Sequence, residues 1–255
     1  MKTILLDYKN IIIGHRGCRE RNNPGNTLEC FEKALYEGAD VLELDVRTTR
    51  DRIPIVFHDS EIEGQRIKSL SYDQIREIGE ANGLRIPTLQ QFLIYFEEKT
   101  KLLIELKERG NAREIIALAL KYFTSQELFV QSFDDETVKK MKTSFPNLKV
   151  GLLIGIGRDN VFGLKGLKFW LWKLTELFPM SRIKRTGADF ISVNYALLWF
   201  GMIEKLQKYK IPLLVWTVNQ KKQLIKLMKS KQINGIITDR TAVALKVRNN
   251  LKNKT

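Results

Sequence analysis

The chain has 255 residues, 44% of them hydrophobic, and its 43 Lys and Arg against 29 Asp and Glu leave a formal net charge of +14. That length suits one large domain, residues 1–255, and the apolar content excludes a disordered chain. Two cysteines, Cys18 and Cys30, are too few for a disulfide scaffold and read as reduced intracellular thiols, while the absence of a secretory leader or a run of about 18 apolar residues argues for a cytoplasmic protein without a membrane span.

Taken in chain order, short apolar runs at 11–14, 41–46, 102–107, 128–132, 150–154, 190–194, 213–218 and 235–238 read as strands. Amphipathic stretches at 27–37, 88–98, 112–122, 136–145, 196–209 and 220–231 read as helices between them. Strand followed by helix along the whole chain predicts an α/β fold, the (β/α)8 TIM barrel. A doubly wound open sheet is the alternative, but no Gly-rich dinucleotide turn follows the first strand. An extra run at 53–57 comes only six residues after Val46, too close for a helical crossover, so it folds back as a hairpin after strand 2. A turn centred on Asp51-Arg52 places His58 across from Asp45. The polar excursion at 60–86 reads as a small insertion, and 155–187 as a long aromatic-basic loop or helix.

The chain has only two histidines, His15 and His58, each at the end of a predicted strand. Barrel enzymes keep their chemistry at those ends, and two imidazoles there can serve as the base and acid of one reaction. Glu43 and Asp45 are two apart on one strand and leave its same face; with Val41 they point into the barrel, while Leu42, Leu44 and Val46 face the helices. Glu105 repeats this on the next barrel strand, with Lys107 two residues on. Converging carboxylates repel and lose hydration unless a cation neutralises them, and an all-oxygen set suits Mg2+ or Ca2+ better than zinc. The alternative is a Glu/Lys/Arg ion-pair network filling the barrel top. Arg16 and Lys107 beside such a site suit a phosphate, so the residues predict metal-assisted phosphoryl hydrolysis. The positive charge fits the same acidic substrates, or a surface kept soluble by lysine, and no nucleic-acid motif is present.

The sequence carries His15-Arg16-Gly17, Asn26-Thr27-Leu28-Glu29, Gly38-Ala39-Asp40, Glu43-Leu44-Asp45-Val46 and His58-Asp59, then Ile86-Pro87-Thr88-Leu89, Ile104-Glu105-Leu106-Lys107, Ser132-Phe133-Asp134, Trp216-Thr217-Val218-Asn219 and Gly235-Ile236-Ile237-Thr238-Asp239. In that order they resemble the glycerophosphodiester phosphodiesterase family, over nearly the whole chain. The resemblance implies a divalent metal held by Glu43, Asp45 and Glu105, with His15 and His58 as general acid and base. It also implies Arg16 and Lys107 on the phosphate, Trp216 against the glycerol or alcohol group, and a place in glycerol and lipid metabolism. The implied products are sn-glycerol 3-phosphate and an alcohol. Three departures stand out: Gly25 where the family usually has Glu, Asp51-Arg52 where it has Asp-Gly, and no Arg-Thr-Thr element after His58. A barrel that binds phosphorylated ligands without turnover is the reading that Gly25 and the altered turn leave open, while the missing element bears on substrate choice.

In the stretch 164–178, Leu167, Trp170, Leu171, Leu174, Leu177 and Phe178 share one helical face, and Lys165, Lys168 and Lys173 lie off it beside Phe169 and Trp172. A barrel helix needs only the stripe. Aromatics among the lysines suit peripheral contact with an anionic membrane, where a lysophospholipid would be the substrate.

Overall fold

The computed structural model describes residues 9–19, 23–155, 179–200, 202–230 and 232–253. Its strands are β1 (Ile11–His15), β2 (Val41–Thr48), β3 (Pro54–Val56), β4 (Glu61–Ile62), β5 (Gln65–Arg66), β6 (Lys101–Leu106), β7 (Leu128–Ser132), β8 (Lys149–Ile154), β9 (Phe190–Asn194), β10 (Leu213–Trp216) and β11 (Gly235–Thr238). Strands β1, β2 and β6 to β11 run parallel in the order β1-β11-β10-β9-β8-β7-β6-β2, and β1 pairs with β2 to close the sheet. This is the (β/α)8 barrel that the sequence predicts, with all eight barrel strands at the expected places.

Alternation along each strand makes two apolar layers. Ile11, Ile13, Val41, Leu103, Phe129, Phe190, Leu214 and Ile237 fill the barrel interior. Their odd-even partners, such as Ile12, Leu42, Leu44, Leu102 and Ile104, face the helices. Toward the carboxyl ends of β2 and β6 the inward positions change from apolar to acidic, so the interior packing stops where the polar site begins.

Several helices start at a side-chain cap. Thr27 caps the helix Leu28–Tyr36 through Cys30 N–H, and Thr88 and Gln91 form a reciprocal capping box at Leu89–Phe96. Asp134 caps Asp135–Ser144 through Thr137 N–H. The predicted helix at 196–209 is instead a 3-10 turn, Tyr195–Phe200, followed by Met202–Lys208. Two helices lie outside the sequence reading, Tyr72–Ala81 and Thr241–Lys252, and a third, Pro179–Thr186, falls at the end of the stretch read as a loop or helix. The aromatic-basic stretch at 164–178 lies outside the described residues. Among the described residues no helix is long and apolar enough to cross a membrane.

Strand β2 outruns its neighbour. Its first residues, Val41 to Glu43, pair with β1, and its last, Val46 to Thr48, pair antiparallel with β3. The hairpin is there, but its register differs by one from the predicted one: Val46 faces Val56, and Phe57 N–H donates to Asp45 O at 3.0 Å. The cause is the turn. Thr49 N–H donates to Ile53 O at 3.1 Å around a five-residue loop centred on Asp51, with Arg52 at φ 64. His58 therefore stands beyond the strand end, one position past the residue opposite Asp45. After it, the β4–β5 hairpin and the helix Tyr72–Ala81 pack on the barrel through Ile55, Ile62, Ile67, Leu70, Ile75 and Ile86.

Phe31 joins helix Leu28–Tyr36 to helix Leu89–Phe96, its ring 4.7 Å from Phe92 and 5.9 Å from Phe96, and it has no exposed surface. Phe31→Ala should cost about 3–5 kcal/mol, the range for emptying a buried aromatic site, read as a lower urea midpoint with an unchanged slope.

Candidate active site

The carboxyl ends of the barrel strands open into a cavity of about 890 Å³. His15, Arg16, Glu43, His58, Glu105, Lys107 and Trp216 all line it. Asp45 lies just beneath, 1% exposed. All the residues singled out in the sequence thus meet at one end of the barrel.

Register explains the meeting. His15 and Glu43 are neighbours across β1 and β2, and Asp45 and Glu105 are neighbours across β2 and β6, with Gln131 next along on β7. One oxygen from each of Glu43, Asp45 and Glu105 can be chosen so that all lie within 4.8 Å of one another. Their charges are met unequally. Lys107 Nζ stands 2.9 Å from Asp45 Oδ1 and 2.5 Å from Glu105 Oε1, and Arg16 Nε stands 3.0 Å from Asp45 Oδ2. Burial favours the neutral form of Asp45, but Lys107 and Arg16 outweigh it and hold the carboxyl far below the usual range. Among the described residues Glu43 has the Arg16 N–H at 3.1 Å and the Gln131 amide at 3.5 Å, and no cationic side chain within ion-pair distance. Burial, then Asp45, then Glu105 push its proton affinity well above the ordinary value.

That imbalance fits a metal. Three buried carboxylates with two cationic side chains leave negative charge on the inner face, and the one carboxylate without a cationic side chain would take up a proton or a metal ion. The donors are all oxygen, as a hard divalent cation requires.

Several residues the sequence reading quoted without a role complete the site. Asn26, at φ 61, donates through Nδ2 to Asp45 Oδ2 at 2.9 Å and accepts from Asp45 N–H at 3.3 Å. Its sequence signal is a polar residue just before the Thr27 cap. Asp239, directly after β11, accepts from His15 Nδ1 at 2.6 Å and from Asn219 Nδ2 at 2.5 Å. Asn219 Oδ1 in turn accepts from Asp239 N–H at 2.9 Å. An acid at the end of an apolar strand, on the histidines' side of the barrel, was the available signal. Because a carboxylate only accepts, His15 must donate from Nδ1, which leaves Nε2 as its proton-accepting nitrogen. His58 is held the same way, Nδ1 to Asp59 Oδ1 at 2.7 Å, and its carbonyl accepts from Arg47 Nε at 2.7 Å.

Gly25, the unexpected residue of the Asn-Thr-Leu segment, has a local reason. It sits at φ 82, where a Cβ would come 2.7 Å from Arg16 Cβ, so glycine lets this loop lie on Arg16. Trp216 lines the cavity and also packs on the barrel interior, its Nε1 donating to Ser192 O at 3.0 Å and its ring edge-on to Phe133.

A parallel barrel with a carboxylate cluster, two oriented imidazoles and two cations at its mouth defines a phosphoesterase-type site. Comparison with known proteins is specific about which. The sequence profile of the glycerophosphoryl diester phosphodiesterase family matches residues 15–243, and the chain belongs to that family. It is 28% identical over 249 residues to the glycerophosphodiester phosphodiesterase of Caldanaerobacter subterraneus, covering 91% of this chain and 94% of that one. The crystal structure of the glycerophosphodiester phosphodiesterase from Parabacteroides distasonis superposes with a TM-score of 0.77 at 22% identity, over 96% of this chain and 99% of that one. An Oleispira antarctica phosphodiesterase, solved in complex with the product sn-glycerol-3-phosphate, has the same fold at a TM-score of 0.71 and 18% identity, over 93% of this chain and 96% of that one.

The His15–Asp239 pair makes stability depend on pH. Burial lowers the His15 value below 6.5 even though Asp239 opposes it, and Asp239 lies below its ordinary value because His15 and Asn219 outweigh burial. In both cases the unfolded chain binds the proton more readily than the folded one. The stabilisation is therefore full above the unfolded histidine value of about 6.5 and falls as pH drops through it. Measured against His15→Gln, which loses the titrating ring but keeps the raised proton affinity of Glu43, the wild-type urea midpoint should decline from about pH 7 to pH 5.

Proposed function

We propose that this chain hydrolyses glycerophosphodiesters to sn-glycerol 3-phosphate and an alcohol. The observation that carries the reading is the convergence of two carboxylate-oriented histidines, a carboxylate cluster and two cations around one cavity. The sn-glycerol-3-phosphate held as product by the Oleispira phosphodiesterase supports the choice of glycerol phosphate as the retained half.

His15 and His58 act as the general acid-base pair, each presenting Nε2. One takes the proton of the attacking hydroxyl while the other gives a proton to the departing alcohol oxygen. The attacking hydroxyl is the substrate's own glycerol oxygen: its bond to phosphorus forms as the bond to the alcohol breaks, and water then opens the cyclic phosphate. Arg16 binds phosphate oxygens with its guanidinium. Lys107 spends two of its three donors on Asp45 and Glu105 and keeps the third for the phosphate. Glu43, Asp45 and Glu105 hold a divalent ion, Mg2+ or Ca2+, which supplies Lewis-acid polarisation of the phosphoryl group when bound. Trp216 forms an apolar wall for the glycerol or the alcohol.

A second reading keeps the chemistry and moves it to a membrane surface. The aromatic-basic pattern of 164–178 supports peripheral attachment, from the cytoplasmic side, to anionic lipid and action on lysophospholipids. Sedimentation with anionic vesicles and choline release from lysophosphatidylcholine on them favour this reading; indifference to vesicles favours soluble diesters.

Release of glycerol 3-phosphate from glycerophosphocholine tests the reaction. It should be abolished by EDTA and restored by Mg2+ or Ca2+, and His15→Ala and His58→Ala should each lose about 10²–10⁴-fold in kcat. With a p-nitrophenyl leaving group, which needs no proton, the loss should shrink for whichever histidine is the acid. No turnover of any diester, with intact phosphate binding, would replace this account with the non-catalytic barrel.

A further inference from the structure

The chain's two cysteines lie together at the edge of the site. Cys18 and Cys30 are 4% and 2% exposed, and their sulfurs stand 2.9 Å apart. Cys18 belongs to the segment that carries His15 and Arg16. Cys30 lies in the first turn of the helix Leu28–Tyr36, its N–H donating to Thr27 Oγ1 at 3.3 Å. Between them the backbones touch: Gly17, at φ 76, lies where a Cβ would be 2.5 Å from the Cys30 carbonyl carbon. The loop of catalytic residues thus rests directly on the helix start. A further closure of about 0.9 Å would bring the sulfurs from 2.9 Å to the roughly 2.05 Å of a disulfide bond.

The pair is also reachable. A crevice of about 210 Å³ opens onto Cys18, lined by Arg19, Lys33, Glu37, Asp239 and Arg240 among others. It is separate from the main cavity except through Arg19, which lines both. Arg19, Lys33 and Arg240 give it three cationic side chains, beside the carboxyl groups of Glu37 and Asp239. Asp239 connects it to His15, 2.6 Å away.

We propose that Cys18 and Cys30 are an oxidation site, forming a reversible intramolecular disulfide that clamps the His15-Arg16 loop to the helix behind it, with hydrogen peroxide as oxidant. The Cys18 thiolate attacks one peroxide oxygen; an S–O bond forms, the O–O bond breaks, and the other oxygen leaves as water after taking a proton. The Cys30 sulfur then attacks the sulfenic sulfur. The S–S bond forms, the S–O bond breaks, and the oxygen leaves as a second water with the Cys30 proton. The two sulfurs together lose two electrons, and the peroxide gains them. A dithiol reverses the bond by exchange. Because the sulfurs need move so little, the oxidised chain keeps the geometry of the site and gains resistance to unfolding.

The full chain, reduced and then treated with one equivalent of hydrogen peroxide, tests this without reference to hydrolysis. Intact mass should fall by two hydrogens, and a non-reducing peptide map should show a Cys18–Cys30 cross-link in monomeric protein. The melting temperature should rise by several degrees and return with dithiothreitol, and peroxide should not raise it in Cys18→Ser or Cys30→Ala. Added oxygen on either cysteine, a cross-link between chains, no change in mass, or a cross-link that leaves the melting temperature unchanged or lower would each overturn the proposal. The mass and peptide map come from the wild-type chain, so they stand even where a variant fails to fold.

Discussion

The cost of placing Glu43, Asp45 and Glu105 together, away from water, governs this end of the molecule. In a low-dielectric site their mutual repulsion is strong, and few alternatives relieve it. Lys107 bridges Asp45 and Glu105, Arg16 leans on Asp45, and Asn26 donates to the same carboxyl while accepting from the Asp45 backbone N–H. To bring Arg16 there, the chain takes a positive φ of 55 directly after β1, and Gly25 gives up its side chain so that the next loop can lie against it. Much of the irregular backbone around the site follows from this electrostatic requirement.

The barrel carries that cluster because a parallel strand with alternating faces can be apolar outward and acidic inward. Leu42, Leu44 and Val46 anchor β2 against the helices, so Glu43 and Asp45 are held inward by burial on the opposite face. Chemistry and fold therefore share one strand. The rim is built differently. Ser60, Glu61, Arg66 and Lys68 reach the cavity from the β4–β5 hairpin and its flanks, which are fixed by a small apolar cluster outside the barrel. The barrel carries the carboxylate cluster, and the appended segment supplies part of the cavity wall.

The sequence made the strands and the acidic face legible because both are periodic: eight apolar runs, and Glu43 and Asp45 two apart. Lys107 was readable for the same reason. The hairpin register was not, because a one-residue change in a turn between Asp51 and Arg52 leaves no periodic trace, and Arg52 in a left-handed conformation fixes it. Asn26 and Asp239 act across 19 and 224 residues of sequence, so only closure of the barrel reveals their partners. The helix Tyr72–Ala81 escaped notice within a polar stretch because few of its residues face the core, Ile75 and Gly79 being its buried ones. The contact of Cys18 with Cys30 is equally silent in sequence, where the spacing of two lone cysteines suggests nothing.

Whether a divalent cation completes the carboxylate cluster is the central question. Titrating Mg2+ and Ca2+ into chelator-treated protein by calorimetry, with unfolding followed in parallel, measures it directly. The account predicts one ion per chain, a stabilisation of about 2.7 kcal/mol at a hundred times the Kd, and loss of both effects in Glu43→Gln and Glu105→Gln. Absence of binding by the wild-type chain, or equal binding by the wild type and the variants, would contradict it.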